Sequence, residues 1–241
     1  MNGGRGLALA AMLVMGGLAH AGGSDAAPGR VAPLYTDDFA SVDPARWAVE
    51  AEDGSAAAPY VKDHALYLDS ARGLTLWFKQ PLRGAYEIDF TRTVLDQGQR
   101  HDRVSDLNLF WLAQLDDGAA PAVRFGRSGQ LDAYNGLRLF YAGIGGNGNT
   151  TTRFRYYDGS GARGLLQEYL TAPYLLVANH AYQIRVVVKP TGTALYVDGQ
   201  RYFSASGPIA ASGYFAFRTT KSRQKIEHFA VYPLSETGTP P

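Results

Sequence analysis

The stretch Tyr182–Phe203, YQIRVVVKPTGTALYVDGQRYF, decides the fold. Its first eight residues are almost all β-branched, aromatic or polar in a pattern that suits a pleated, half-buried surface. Pro190 to Gly192 then breaks the run, Ala194–Val197 resumes it, and Asp198-Gly199 breaks it again before Arg201-Tyr-Phe203. Asp-Gly is a strong hairpin turn signal, so two hairpins in series are predicted. Outward from this stretch the same short runs recur at Tyr86–Thr93, Asp106–Gln114, Leu137–Ala142, Thr151–Tyr157, Tyr214–Arg218 and Ile226–Tyr232. Earlier in the chain, Trp47–Glu50, Ala65–Leu68 and Leu74–Phe78 read as strands, and so does Ala122–Gly126. No window of helical length carries an apolar stripe. The predicted fold is therefore all-β, a two-sheet antiparallel sandwich of the jelly-roll type with little helix. Its core should hold Trp77, Ile88, Leu107, Leu109, Val186, Val197, Phe217 and Phe229.

The start of the chain differs from the rest. Arg5 precedes an apolar run from Leu7 to Leu18, and Ala19 and Ala21 are small residues at the two positions a signal peptidase reads. Residues 1–21 are thus predicted to be a secretory signal cut near Ala21, which makes the protein secreted or periplasmic. The run is too short to span a bilayer, which needs ~20 apolar residues, and no later segment is long enough, so no membrane span is expected. Residues 22–33 read as a flexible lead, residues 34–234 as one domain and residues 235–241 as a flexible tail. Of the 23 basic residues the signal removes only Arg5, and none of the 22 acids, so the mature chain is near neutral. That balance gives no reason to expect a nucleic-acid partner. The chain has no cysteine, which excludes thiol catalysis and zinc–thiolate sites and leaves stability to the core.

The stretch Asp132–Asp158 is the most suggestive for function. Around the loop Gly143–Asn149 it sets several tyrosines and the pair Arg153 and Arg155 on strand-like segments. Read at period two, Thr151, Arg153, Arg155 and Tyr157 share one strand face, which is costly to bury unless something pairs with it. The loop, with Asn147 at its centre, has little side-chain bulk and lets backbone approach a ligand closely. Asp106, Asn108 and Phe110 would likewise share a face, where carboxylate and amide bond sugar hydroxyls and a ring covers a pyranose. The alternative for Asp106 is pairing with Arg103, Arg138 or Arg155 inside the sandwich.

The order of these strands, with Asp37-Asp38-Phe39 and Trp47 near the start, resembles the concanavalin A-like superfamily, which includes lectins, laminin-G-like modules, glycosidases and jelly-roll polysaccharide lyases. The resemblance covers essentially the whole mature chain. Asp102–Trp111, Tyr134–Arg138 and Thr150–Arg155 make it similar to a group of secreted bacterial domains of that fold. The resemblance implies a poly- or oligosaccharide partner on a concave sheet face. Laminarinase-type glycosidases of the superfamily carry three acids on one strand; Glu87 and Asp89 supply two, and Thr91 or Arg92 stands where the third belongs. Jelly-roll lyases neutralise a uronate carboxylate with Arg or an amide, remove the C5 proton with His or Tyr, and protonate the leaving oxygen with Tyr. The candidate catalytic residues on that reading are His101, Tyr141, Tyr157 and Arg153, with Asp106, Asn108, Tyr134, Arg138, Asn147 and Arg155 binding substrate. The leading expectation is β-elimination of an acidic glycan. The alternatives are a non-catalytic carbohydrate-binding module, and a glycoside hydrolase or an enzyme cleaving 3-keto-glycosides. No cofactor is called for, and no catalytic metal. Lectin-like sandwiches often hold a structural calcium, for which Asp37, Asp38, Asp158 and Asp198 near turns are candidates, without a continuous calcium loop. The sequence leaves the oligomeric state open.

Overall fold

The computed structural model describes Met1 and residues 31–52, 59–114, 125–210 and 212–235. Among these residues the strands are β1 (Tyr35–Asp37), β2 (Trp47–Ala51), β3 (Tyr60–Lys62), β4 (Ala65–Arg83), β5 (Tyr86–Val94), β6 (Leu107–Gln114), β7 (Arg138–Gly145), β8 (Thr151–Asp158), β9 (Arg163–Tyr169), β10 (Ala181–Lys189), β11 (Gly192–Val197), β12 (Gln200–Ser206) and β13 (Ser212–Pro233). Helix is confined, among the described residues, to a 3-10 turn at Leu131–Tyr134 and a single turn at Gly146–Asn149. No helix among them is long and apolar enough to cross a membrane. Apart from Met1, the signal segment lies outside the described residues, as do residues 122–124 of the expected Ala122–Gly126 strand; Phe125 and Gly126 belong to no strand.

Two long strands are shared between two sheets. The first half of β13, Phe215–Thr220, pairs with Gly73–Phe78 of β4, and its second half, Ser222–Ile226, pairs with Leu66–Ser70. The register shifts between Thr220 and Ser222, where Lys221 takes a φ of 51°. Such an irregularity is how a strand turns a corner from one sheet to the next. One sheet then runs β2–β4–β13–β6–β7–β8–β9 and the other continues β13–β5–β10–β11–β12. The expectation of four separate strands at Ala65–Leu68, Leu74–Phe78, Tyr214–Arg218 and Ile226–Tyr232 is corrected here. The polar residues between them mark a bend and not a turn, because buried side-chain bonds replace the expected solvent. Gln224 Nε2 donates to Thr219 Oγ1 (2.8 Å), Ser222 Oγ (2.7 Å) and the Ser105 carbonyl (3.1 Å) inside this corner.

Alternation along each strand builds the core between the sheets. Leu107, Leu109 and Trp111 of β6 and Phe154 of β8 meet Ile88, Val186, Leu195 and Val197 of the other sheet. Trp111 stacks on Phe154 with centroids 5.6 Å apart, Phe154 stacks on Phe203 at 5.2 Å, and Trp111 Nε1 donates to Thr193 Oγ1 at 2.9 Å. All eight residues expected in the core are buried. Trp77, however, belongs to a second apolar cluster on the opposite face of its sheet, with Phe110, Tyr134 and Tyr157. Phe154→Ala, which empties the centre of the stacked column, is expected to cost about 3–5 kcal/mol in chemical denaturation. A cost under about 1 kcal/mol would contradict this packing. The strands β1, β3 and β9 were not anticipated, because two are three residues long and β9 (RGLLQEY) lacks clean alternation and exposes Leu165 and Leu166.

Candidate functional site

The outer face of the β2–β9 sheet carries the parity opposite to the core, and strand pairing aligns its side chains in rows. One row runs Glu50, Thr75, Arg218, Asn108, Gly143, Arg153 and Glu168 across seven strands. The next runs Trp77, Ala216, Phe110, Tyr141, Arg155 and Leu165. A polar row beside an aromatic row is what a flat, hydroxyl-rich ligand with an apolar face requires.

A cover segment from Phe125 to Leu137 crosses part of this face. Tyr134 packs on Phe110 (5.1 Å) and Trp77 (6.0 Å). Its anchor is Glu50, whose buried carboxylate accepts bonds from Trp77 Nε1 (2.8 Å), Tyr134 Oη (2.8 Å), Gly126 N (2.9 Å) and Arg127 N (3.0 Å). Four donors satisfy a carboxylate that would otherwise be costly to bury.

Beside the cover lies a cavity of about 320 Å³, and Asp106, Tyr141, Asn147, Arg153, Arg155 and Tyr157, all predicted site residues, line it together. Asn108, also predicted, lies in the polar row between Arg218 and Gly143. Arg163 of β9 closes the wall: its Nε donates to Asn135 Oδ1 (2.6 Å), it pairs with Asp132, and its guanidinium lies over the Tyr157 ring at 5.7 Å. Arg153 Nε bonds Glu168 Oε1 at 2.5 Å, and Arg155 Nη1 donates to the Arg163 carbonyl at 2.8 Å. Asp106, at a left-handed φ of 62°, accepts from Ser105 Oγ (2.7 Å) and stands 3.5 Å from Arg103 Nη1, so of the pairings expected for it Arg103 is the one formed. Burial raises the Tyr141 hydroxyl above the ordinary tyrosine range, reinforced by Tyr157 and Asp106, and burial raises Tyr157 too. Both phenols therefore stay protonated at neutral pH and act as donors. Among the described residues, Asn108 Oδ1, Tyr157 Oη and Arg218 Nε are buried without a hydrogen-bond partner, all three on this face.

Three predicted residues are placed otherwise. His101 lines neither this cavity nor its continuation; its Nδ1 is 2.6 Å from Asp69 Oδ1 in the segment ahead of β6, where strand parity does not reach. Arg138 is three residues from Tyr141 on β7, so it points to the other side, into a separate cavity of about 510 Å³ with Phe140, Tyr156 and Ile209. Tyr134 serves the cover and is not exposed to the cavity. The acids Glu87 and Asp89 lie on β5 in the other sheet, with Glu87 Oε2 2.8 Å from Arg185 Nη1. Asp106, just ahead of β6, alternates with Asn108 and Phe110 of β6, which puts one carboxylate in that set. Of the aspartates near turns, Asp37 accepts from Trp47 Nε1 (2.7 Å) and Phe39 N (2.9 Å), Asp38 from Ala40 N (3.2 Å) and Asp158 from Ser160 N (2.8 Å), and Asp198 pairs with His180.

Residues the sequence reading missed include Glu50, Arg163 and Arg218. Arg218 was legible: in Tyr-Phe-Ala-Phe-Arg it alternates against Phe215 and Phe217, both core residues. Gly143 has a role of its own, since a Cβ there would collide with the Tyr141 phenol folded over it. Gly143→Ala is expected to displace Tyr141, costing about 1–3 kcal/mol of stability and weakening ligand binding; a ligand affinity equal to wild type would show that the phenol's position is irrelevant.

The fold is a concanavalin A-like, galectin-like sandwich with a polar groove on one sheet. The chain belongs to the family described as Domain of unknown function (DUF6250), whose model matches residues 68–229. No curated protein matches it in sequence. Its structure is similar to a protein of unknown function with galectin-like fold from Bacillus subtilis, at TM-score 0.66 and 16% identity over 85% of this chain and 97% of that one. It is also similar to an endo-β-1,3-glucanase from Pyrococcus furiosus, at TM-score 0.59 and 11% identity over 85% and 95% of the two chains. A carbohydrate-binding module from Bacillus subtilis aligns at TM-score 0.50 and 11% identity over 77% and 94%.

Proposed function

We propose that this is an exported carbohydrate-recognising protein that binds an acidic glycan in the groove. The observation that carries this reading is the convergence of Arg153, Arg155 and Arg163 with Tyr141 and Tyr157 on one cavity. Guanidinium forks suit carboxylate or sulfate groups, and protonated phenols donate to ring and hydroxyl oxygens. The glucanase and the carbohydrate-binding module with the same fold support a saccharide as the ligand class.

Recognition without bond cleavage is the form of this function the geometry favours. β-Elimination needs a group to take the C5 proton. His101 is engaged with Asp69 away from the cavity, and both phenols are held protonated, which suits an acid but not a base.

Binding to acidic and neutral oligosaccharides, measured by calorimetry, tests the reading. Acidic ligands should bind and weaken as salt rises. Arg155→Ala, which removes a cation with no ion pair among the described residues, should lower affinity about tenfold or more while leaving the melting temperature nearly unchanged. Tyr141→Phe should weaken binding by about 0.5–1.5 kcal/mol. Equal affinity for neutral glycans, or an unaffected Arg155→Ala variant, would reject the groove as an acidic-glycan site. Release of an unsaturated, ultraviolet-absorbing sugar would replace recognition by elimination.

A further inference from the structure

The cavity lined by the predicted residues continues into a larger one of about 850 Å³, since Asp106, Leu131 and Asn147 line both. The larger part is walled by Arg218, Lys221, Thr220 and Arg103. Arg218 is 1% exposed, yet forms no ion pair among the described residues: its Nη1 donates to two neutral oxygens, Thr75 Oγ1 (2.7 Å) and the Gly129 carbonyl (2.8 Å), and its Nε donates to none. Behind it in the core, Arg92 is 0% exposed and also forms no ion pair among the described residues. Arg92 gives Nε to Gln224 Oε1 (2.7 Å), Nη1 to the Asn108 carbonyl (2.9 Å) and Nη2 to the Arg218 carbonyl (2.8 Å).

Two neighbouring buried guanidiniums without an ion pair among the described residues are unusual, because buried charges are normally paired. Burial alone pulls the Arg92 guanidinium down to about 9. The acids nearby are committed elsewhere. Glu52 accepts from Gly73 N (2.9 Å) and stands 3.6 Å from Arg72, Asp106 serves Ser105 and Arg103, and Asp132 serves Arg163. Over both cavities six cationic side chains face three carboxylates.

We infer that the groove holds a second anion-binding subsite at Arg218 and Lys221, so that its ligand is a glycan bearing negative groups on at least two sugar residues. This rests on the acidic-glycan reading above and extends it from a single charge to a spaced pair. Arg153 and Arg155 take one anionic group, and Arg218 with Lys221 takes the other across the shared wall at Asn147. Linking two such contacts in one ligand raises affinity without any new chemistry.

Two probes separate the subsite from the glycan reading. In the first, sulfate replaces chloride at constant ionic strength and thermal unfolding is followed. Sulfate should stabilise the wild type, with the stabilisation reduced in R155Q, reduced separately in K221E, and nearly lost in the double variant. In the second, galacturonic acid and its tetramer are compared by calorimetry. The tetramer should bind at least about tenfold more tightly, and K221E and R218Q should erase that gain while leaving monomer binding in place. Lys221 is exposed at the corner, so K221E decides the matter if R218Q fails to fold. A sulfate response that vanishes in R155Q and is untouched by K221E, or a tetramer no tighter than the monomer, overturns the second subsite. A sulfate response dependent on Lys221 with no binding of either saccharide upholds the anion subsite and overturns the glycan reading.

Discussion

Arg92→Met is expected to cost about 3–5 kcal/mol, among the largest losses of any single substitution in this protein. The guanidinium is fully buried between the sheets, face on to Phe217 at 5.7 Å, and each of its three nitrogens satisfies one oxygen on a different strand or side chain. Methionine would fill much of the space and remove the desolvated charge, which offsets part of the loss. It would leave the Gln224 amide oxygen buried without this donor and take one donor each from the Asn108 and Arg218 carbonyls, and an unmade buried bond costs about 1–3 kcal/mol. Lysine should not rescue, since one ammonium cannot reproduce a planar fork aimed at three separated acceptors. Urea denaturation provides the measurement, and an Arg92→Met variant within about 1 kcal/mol of wild type would show that the fork is dispensable. Two of the three acceptors belong to the backbone of Asn108 and Arg218, so the loss is expected to reach the groove, with ligand affinity falling alongside stability.

This arginine shows why part of the site was hidden from the sequence. Where candidates follow period-two parity on one strand, the structure places them together. Arg153, Arg155 and Tyr157 do share a face, and Asp106 reaches the same cavity. Candidates an odd number of residues apart, such as Arg138 and Tyr141, fall on opposite faces, and His101, which lies on no strand, falls outside the cavity. Arg92 is flanked by Thr91 and Thr93 in a strand whose alternate residues Ile88 and Phe90 face the core, so parity alone placed it inward. Nothing local says what an inward arginine would bond, because its acceptors are 16, 126 and 132 residues away. The corner that creates those acceptors reads as interruptions in β4 and β13, since Thr219, Ser222 and Gln224 look like turn residues until their side chains are seen bonding to one another. The same distance hides Glu50, which reads as the polar end of a short strand and whose donors come from β4 and the cover segment.

Glu50→Ala is the second substitution expected to have a large effect, and it separates the cover from the sandwich beneath it. The carboxylate is buried and holds Trp77 Nε1, Tyr134 Oη and the amides of Gly126 and Arg127 in one place. Alanine would strand a buried indole N–H and a buried phenol and release two backbone amides. The expected cost is about 3–5 kcal/mol, because bonds to a charged acceptor are worth about 1.5–3 kcal/mol each and solvent recovers the amides once the segment lifts. Glutamine keeps the shape but turns one acceptor oxygen into a donor, so one pair of donors must face an N–H; a cost of about 1–3 kcal/mol is expected. The cover segment also supplies Leu131 to both cavities and Asp132 to Arg163. Hydrogen exchange should therefore rise first across residues 125–137 in Glu50→Ala, ahead of β6 to β8, and acidic-ligand affinity should fall with it. Exchange that rises evenly over the whole sheet would mean that Glu50 supports the sandwich in general and does not act as the anchor of the cover.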